Sequence, residues 1–137
     1  MNMNILLDIH ILLWSVTEDE KFPEKADEII NDPKNKIYYS SVSVWEAAIK
    51  RLKHPDKIAD LSTQELTDLC DDADFQELPL MADQVLMLET LSRPDDAPPH
   101  KDPFDRILIA QAKAENMIFL THDDTLTFYN EDCIMYV

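Results

Sequence analysis

Short apolar runs alternate with amphipathic stretches along the whole chain. Runs able to form buried strands cover Asn4 to Asp8, Lys36 to Ser40, Phe75 to Leu78, Met117 to Thr121 and Cys133 to Val137. Between them, apolar residues recur at helical spacing over Ile9 to Val16, Pro23 to Asn31, Val44 to Lys53, Thr63 to Asp71, Met81 to Leu91 and Pro103 to Asn116. Strands separated by helices predict βαβ crossovers, and therefore an α/β fold around a parallel sheet. No internal repeat interrupts this order. The stretch Ser92 to Lys101, with Pro94, Pro98 and Pro99, reads as a loop and a candidate flap. The sequence contains no glycine, so any backbone position with positive φ must fall to Asn, Asp or a strained residue.

Composition narrows the function classes. A chain of 137 residues with 45% hydrophobic content has the size and core material of one domain, expected to span 1–137. Its 28 acids against 12 bases give a formal charge of −16, which argues against a broad basic surface for nucleic acid. Any such contact must be local and metal-assisted. Cys70 and Cys133 stand far apart with no zinc-type spacing, as expected of buried thiols in a reducing compartment. Ile5 to Val16 is apolar, but Asp8 and His10 interrupt it, no positive residue precedes it, and it is too short to span a bilayer. The expectation is a cytoplasmic protein without a membrane partner.

Four acids carry the candidate chemistry. Asp8, Glu46, Asp105 and Asp123 each fall where a strand-like run ends or a helix begins. In open parallel sheets ligands bind beyond the carboxyl ends of the strands, so these positions can converge on one edge. Each acid also has a structural reading as a cap: Ser43 with Glu46 has capping-box spacing, Asp102-Pro103-Phe104-Asp105 repeats the device, and Asp8 and Asp123 precede turns. Capping does not explain why all four lie at transitions of one polarity. Crowded carboxylates repel one another unless a pKa rises or a divalent cation binds. A donor set of oxygens without cysteine suits Mg²⁺ or Mn²⁺.

The segments around these acids carry a family resemblance. Leu6-Leu7-Asp8-Ile9-His10, Ser41-Val42-Ser43-Val44-Trp45-Glu46 with Lys50, His100-Lys101-Asp102-Pro103-Phe104-Asp105-Arg106 and Thr121-His122-Asp123 together resemble the PIN domain. More narrowly they resemble the VapC-type toxins of bacterial toxin–antitoxin pairs. The resemblance implies a three-layer α/β/α sandwich with a central parallel sheet. It also implies a Mg²⁺- or Mn²⁺-dependent endoribonuclease that hydrolyses RNA phosphodiesters with metal-activated water. By the same resemblance Asp8, Glu46, Asp105 and Asp123 match the metal-binding acids, Thr121 matches a supporting hydroxyl, and Asp102 fits as helix cap or second support. The implied partners are RNA, a cognate antitoxin and a second copy in a homodimer. The chain departs from the family pattern at Ile9, where a threonine is common, and at His54-Pro55-Asp56-Lys57, where a glycine is expected and Asp56 takes the turn.

Other residues carry weaker expectations. Lys50, Arg51 and Lys53, with His54, form the densest basic cluster, suited to RNA phosphates or simply to a helix C-terminus. Arg106 suits an ion pair or a phosphate. Trp14 and Trp45 read as core or subunit contacts, and His10 and His122 as hydrogen-bonded supports of the acids or as core histidines rather than as ligands. A catalytically decayed PIN-like binding module is the alternative function, with Ile9 as its motive. A phospho-accepting receiver domain is excluded, because Asp8 lacks an acidic neighbour and the later aspartate and lysine are missing.

Overall fold

The computed structural model describes residues 2–55 and 61–137; Asp56, expected to take a turn, lies outside them. Five strands, β1 (Asn4–Leu7), β2 (Lys36–Ser40), β3 (Gln76–Leu78), β4 (Ile118–Thr121) and β5 (Ile134–Tyr136), form one sheet in the order β3-β2-β1-β4-β5. Every pairing is parallel, with Leu6 opposite Tyr38 on one side and Phe119 on the other. The helices are α1 (Ile9–Thr17), α2 (Glu24–Asn31), α3 (Ser41–Lys53), α4 (Thr63–Asp72), α5 (Ala82–Leu86) and α6 (Pro103–Ala114).

The pleat sends alternate residues of β1 to opposite faces, and both faces are covered. Ile5 and Leu7 join Ile11, Leu12, Ala26, Leu66 and Cys70 in one core, so α1, α2 and α4 lie on that face. Leu6 joins Leu108, Ile109, Ala112 and Phe119 in the other, beneath α6. The result is the expected α/β/α arrangement. α3 straddles the layers, giving Ala47 to the first core and Val42 to the second. Behind it a buried polar chain runs from Ser40 Oγ through Gln111 to Gln84, at 2.6 and 3.0 Å.

Two helix boundaries differ from the sequence expectation. α3 begins at Ser41 rather than Val44, because Ser40, the last residue of β2, accepts from Val42 N at 3.0 Å and caps the helix. Ser43 and Glu46 therefore form no capping box: Ser43 is already helical and buried, and Glu46 sits a turn further in. The run Met81 to Leu91 divides into short α5 and a 3-10 turn over Met87–Thr90. Positive φ falls on Asp74 and Asn116, as the missing glycine requires, and on Glu18, which ends α1 with φ 54°.

Candidate active site

Asp8 follows β1 directly, and its backbone N donates to Leu120 O at 3.0 Å, continuing the ladder one residue past the strand. That register sets Asp8 beside Thr121, at the end of β4. Thr121 Oγ1 donates to Asp8 Oδ2 at 2.5 Å and accepts from Asp123 N at 3.0 Å, joining the first and last acids through one buried hydroxyl. Asp8 also caps α1, accepting from His10 N at 3.3 Å. Capping and site placement coincide in this residue. Asp123 is held by Thr125, whose N and Oγ1 donate to Oδ1 at 3.0 and 2.7 Å.

Glu46 and Asp105 arrive from the helices. Glu46 is 3% exposed, with Oε2 paired to Lys50 Nζ at 2.8 Å and Oε1 buried without a hydrogen-bond partner. Burial raises its pKa against the opposing pull of Lys50. Asp102 caps α6, accepting from Phe104 N at 2.9 Å and Asp105 N at 3.3 Å, with Pro103 at the first helical position. This start aims Asp105 inward, where it is 9% exposed. Burial, then the charges of Asp8, Asp102, Glu46 and Asp123, push its pKa up to about 8. Burial likewise raises Asp8, opposed by the Thr121 hydrogen bond and His10.

His100 and Tyr129 complete the arrangement, and sequence reasoning assigned neither a role. His100 Nε2 lies 3.3 Å from Asp105 Oδ2, and Nδ1 lies 2.7 Å from Tyr129 Oη. Burial lowers the His100 pKa while it raises that of Asp105, so near neutral pH the two meet as an uncharged hydrogen bond rather than an ion pair. Arg93 lies over the Tyr129 ring at 5.1 Å, fixing the Pro-rich loop against the site. The only available signal was a histidine two residues before Asp102 in that loop.

Several other expectations shift. Lys50 is engaged with Glu46, Arg51 Nη1 donates to Leu61 O, and Lys53 is exposed at the end of α3. Arg106 forms no ion pair among the described residues. Trp45 is not core: it is 58% exposed, its ring meeting Phe104 edge-on at 5.0 Å. Ile9 packs in the core at 2% exposure, and the hydroxyl that reaches Asp8 is that of Thr121.

The donors suit a hard divalent cation: oxygens only, one of them an unpartnered buried carboxylate oxygen, around a carboxyl whose ionisation its neighbours oppose. Among the described residues, however, no group of three or more His, Cys, Asp or Glu side chains is arranged to hold a metal ion. The acids share one electrostatic field without having closed on a common point. No helix among the described residues is long and apolar enough to cross a membrane.

Among curated proteins none matches the chain. Among solved structures it is similar to a chain of VapBC2 from Rickettsia felis bound to a DNA fragment from their promoter, with TM-score 0.63, 14% identity and coverage of 98% of each chain. At that identity the likeness is one of fold. The PIN domain family matches residues 5–130, a span that includes Asp8, Glu46, Asp105 and Asp123. The chain therefore belongs to the PIN domain family, whose members are generally nucleases that use divalent metal ions.

Proposed function

We propose that this PIN domain is a Mg²⁺- or Mn²⁺-dependent endoribonuclease acting as the toxin of a toxin–antitoxin pair in the cytoplasm. The observation that carries the nuclease reading is the mutual opposition of the acids. Asp105 is pushed up to about 8 by burial and by the charges of four other acids, an arrangement a divalent cation would relieve. Asp8, Glu46, Asp105 and Asp123 would hold the ion. When bound, it lowers the pKa of water and neutralises charge on the phosphate.

The protein's own groups prepare that event. Thr121 fixes the orientation of Asp8 and the backbone of Asp123, while Thr125 fixes the Asp123 side chain. Asp105 would bind the cation as the carboxylate, its proton passing to solvent, and His100 Nε2 at 3.3 Å would keep the carboxyl from rotating out of the pocket. Lys50, paired with Glu46 at 2.8 Å, would be free to meet a phosphate if Glu46 turned to the cation. Arg51, Lys53 and Arg106 remain further candidates for RNA. Attack by water leaves a 3′-hydroxyl and a 5′-phosphate.

The toxin assignment is supported by the likeness to a chain of VapBC2. An apolar stripe on α3, Trp45 and 85%-exposed Leu52, offers an antitoxin or a second copy something to cover. The deciding experiment incubates purified protein with single-stranded RNA in Mn²⁺, Mg²⁺ or EDTA and maps the product ends. Metal-dependent cleavage with 5′-phosphate ends is expected. RNA that is bound but left intact in both metals would establish the binding-module alternative instead.

A further inference from the structure

Beside the acids opens a cleft of about 340 Å³ lined by Asp8, His10, Trp14, His122, Asp123 and Asp124. That volume lies at the lower end of small-ligand sites, about 300–1,000 Å³. Its lining combines three carboxylates with three aromatic rings. Trp14 stands 5.8 Å from His10 at 49° and 5.6 Å from His122 at 70°. Its own packing against the core fixes it. His122 is stacked on Tyr136 at 5.4 Å and 11°, and its Nδ1 meets the Val137 carbonyl. Among the described residues neither histidine side chain hydrogen-bonds an Asp or Glu carboxylate, and both rings pack on other rings.

We propose that this cleft is a nucleobase subsite, which takes one unpaired base of the RNA strand against the Trp14–His122 wall while the adjoining phosphate lies toward the acid cluster and the cation it would hold. The inference rests on the ribonuclease reading and gives it a substrate class, single-stranded RNA. Two observations carry it. Asp8 and Asp123 belong both to the cleft and to the acid cluster, so base and phosphate of one nucleotide fall side by side. With a formal charge of −16, the protein cannot gather RNA through a broad positive surface, and stacking on fixed rings supplies affinity without cationic side chains. Such a platform tolerates any base, because every base has a π-face.

The test uses tryptophan fluorescence. The chain has two tryptophans, so Trp45→Phe leaves Trp14 as the sole reporter. In this background adenosine monophosphate should quench the emission saturably, and ribose 5-phosphate, which lacks the base, should not. His122→Ala should weaken the nucleotide by between about 5-fold and about 100-fold, whereas His122→Phe, which keeps a ring, should retain most of the affinity. In RNA cleavage, His122→Ala should raise KM more than it lowers kcat. Equal quenching by ribose 5-phosphate, or none by the nucleotide, would overturn the proposal, as would His122→Ala and His10→Ala both binding within twofold of wild type. Melting curves establish that each variant is folded, and His122→Phe with His10→Ala serve if His122→Ala is not. The nuclease reading fails separately: RNA left uncut in Mn²⁺ sinks it, while the nucleotide titration still judges the cleft.

Discussion

The two halves of the acid cluster are built on opposite terms. At the β1–β4 junction, Asp8 and Asp123 are tied by Thr121, capped into turns, and supplied with donors from His10 and Thr125. On the helix side, among the described residues, Glu46 keeps one oxygen without a partner and the Asp105 carboxyl has only His100 at 3.3 Å. The sheet half is satisfied by the protein's own donors. The helix half is held together by a proton on Asp105 and by Lys50 on Glu46, both of which a cation can replace. Order is thus invested where the backbone already fixes the atoms, and the cost of crowding is left where it can be relieved.

Substitutions can break that contrast, and the largest effect belongs to Asp105→Asn. Cleavage should fall by at least about 100-fold, as when a group that stabilises reaction charge is removed. Near neutral pH the metal-free protein should nonetheless be no less stable, because asparagine copies the protonated carboxyl. A variant that melts earlier but cuts RNA at wild-type rate would place Asp105 outside the metal site. Denaturant titrations compared with initial cleavage rates separate the two outcomes.

Next in size is the linkage between metal and pH. The folded-state value of Asp105, about 8, lies above the ordinary 3.8, so between these limits the folded chain holds a proton that the unfolded chain releases. Stability of the metal-free protein should therefore be greatest below about pH 4 on this account and decline as pH rises toward 8. The raised values of Asp8 and Glu46 act in the same direction. Mn²⁺ should reverse the trend. At a free concentration 100 times its Kd it adds about 2.7 kcal/mol, and its affinity should rise with pH as Asp105 loses its proton. Melting curves at several pH values, with Mn²⁺ and with EDTA, measure both slopes, and a flat metal-free profile would contradict the buried, opposed carboxyl.

Thr121→Val sharpens the comparison from the ordered half. It removes the donor to Asp8 and the acceptor for Asp123 N at one buried point, at a cost of about 1–3 kcal/mol. Equilibrium unfolding should show this loss even in EDTA, unlike Asp105→Asn. The smallest effects are expected at the end of α3. Lys53→Ala should change stability by less than about 0.5 kcal/mol. Lys50→Ala should destabilise the metal-free protein modestly by leaving Glu46 unpaired, and that deficit should shrink in Mn²⁺. If Lys50→Ala and Lys53→Ala behave alike in EDTA, the Glu46 pair contributes nothing.

Sequence pattern reveals the sheet well because parallel strands buried on both faces are short, apolar and separated by amphipathic crossovers. The positions of Asp8, Asp105 and Asp123 at strand and helix boundaries were legible for the same reason. α3 was read a turn too late because Ser43 and Glu46 mimic capping-box spacing, while the true cap, Ser40, lies inside an apolar strand. Trp45 was assigned to an apolar face by periodicity, which cannot tell a buried stripe from an exposed one. The His100–Tyr129 contact spans 29 positions with no local pattern, so only the folded chain displays it. Even the shared field of the acids depends on distances that spacing alone does not set.

The hydroxyl that joins Asp8 to Asp123 belongs to a residue 113 positions after Asp8. Ribosomes add about 5–20 residues per second, so roughly 6 to 20 s separate the synthesis of Asp8 from that of Thr121. β1 can pair with β2 early, yet its other neighbour, β4, follows β3 in the chain. A growing chain therefore carries the first acids past the translation machinery without the strand that completes their setting. The centre therefore cannot take its folded arrangement until β4 has left the ribosome.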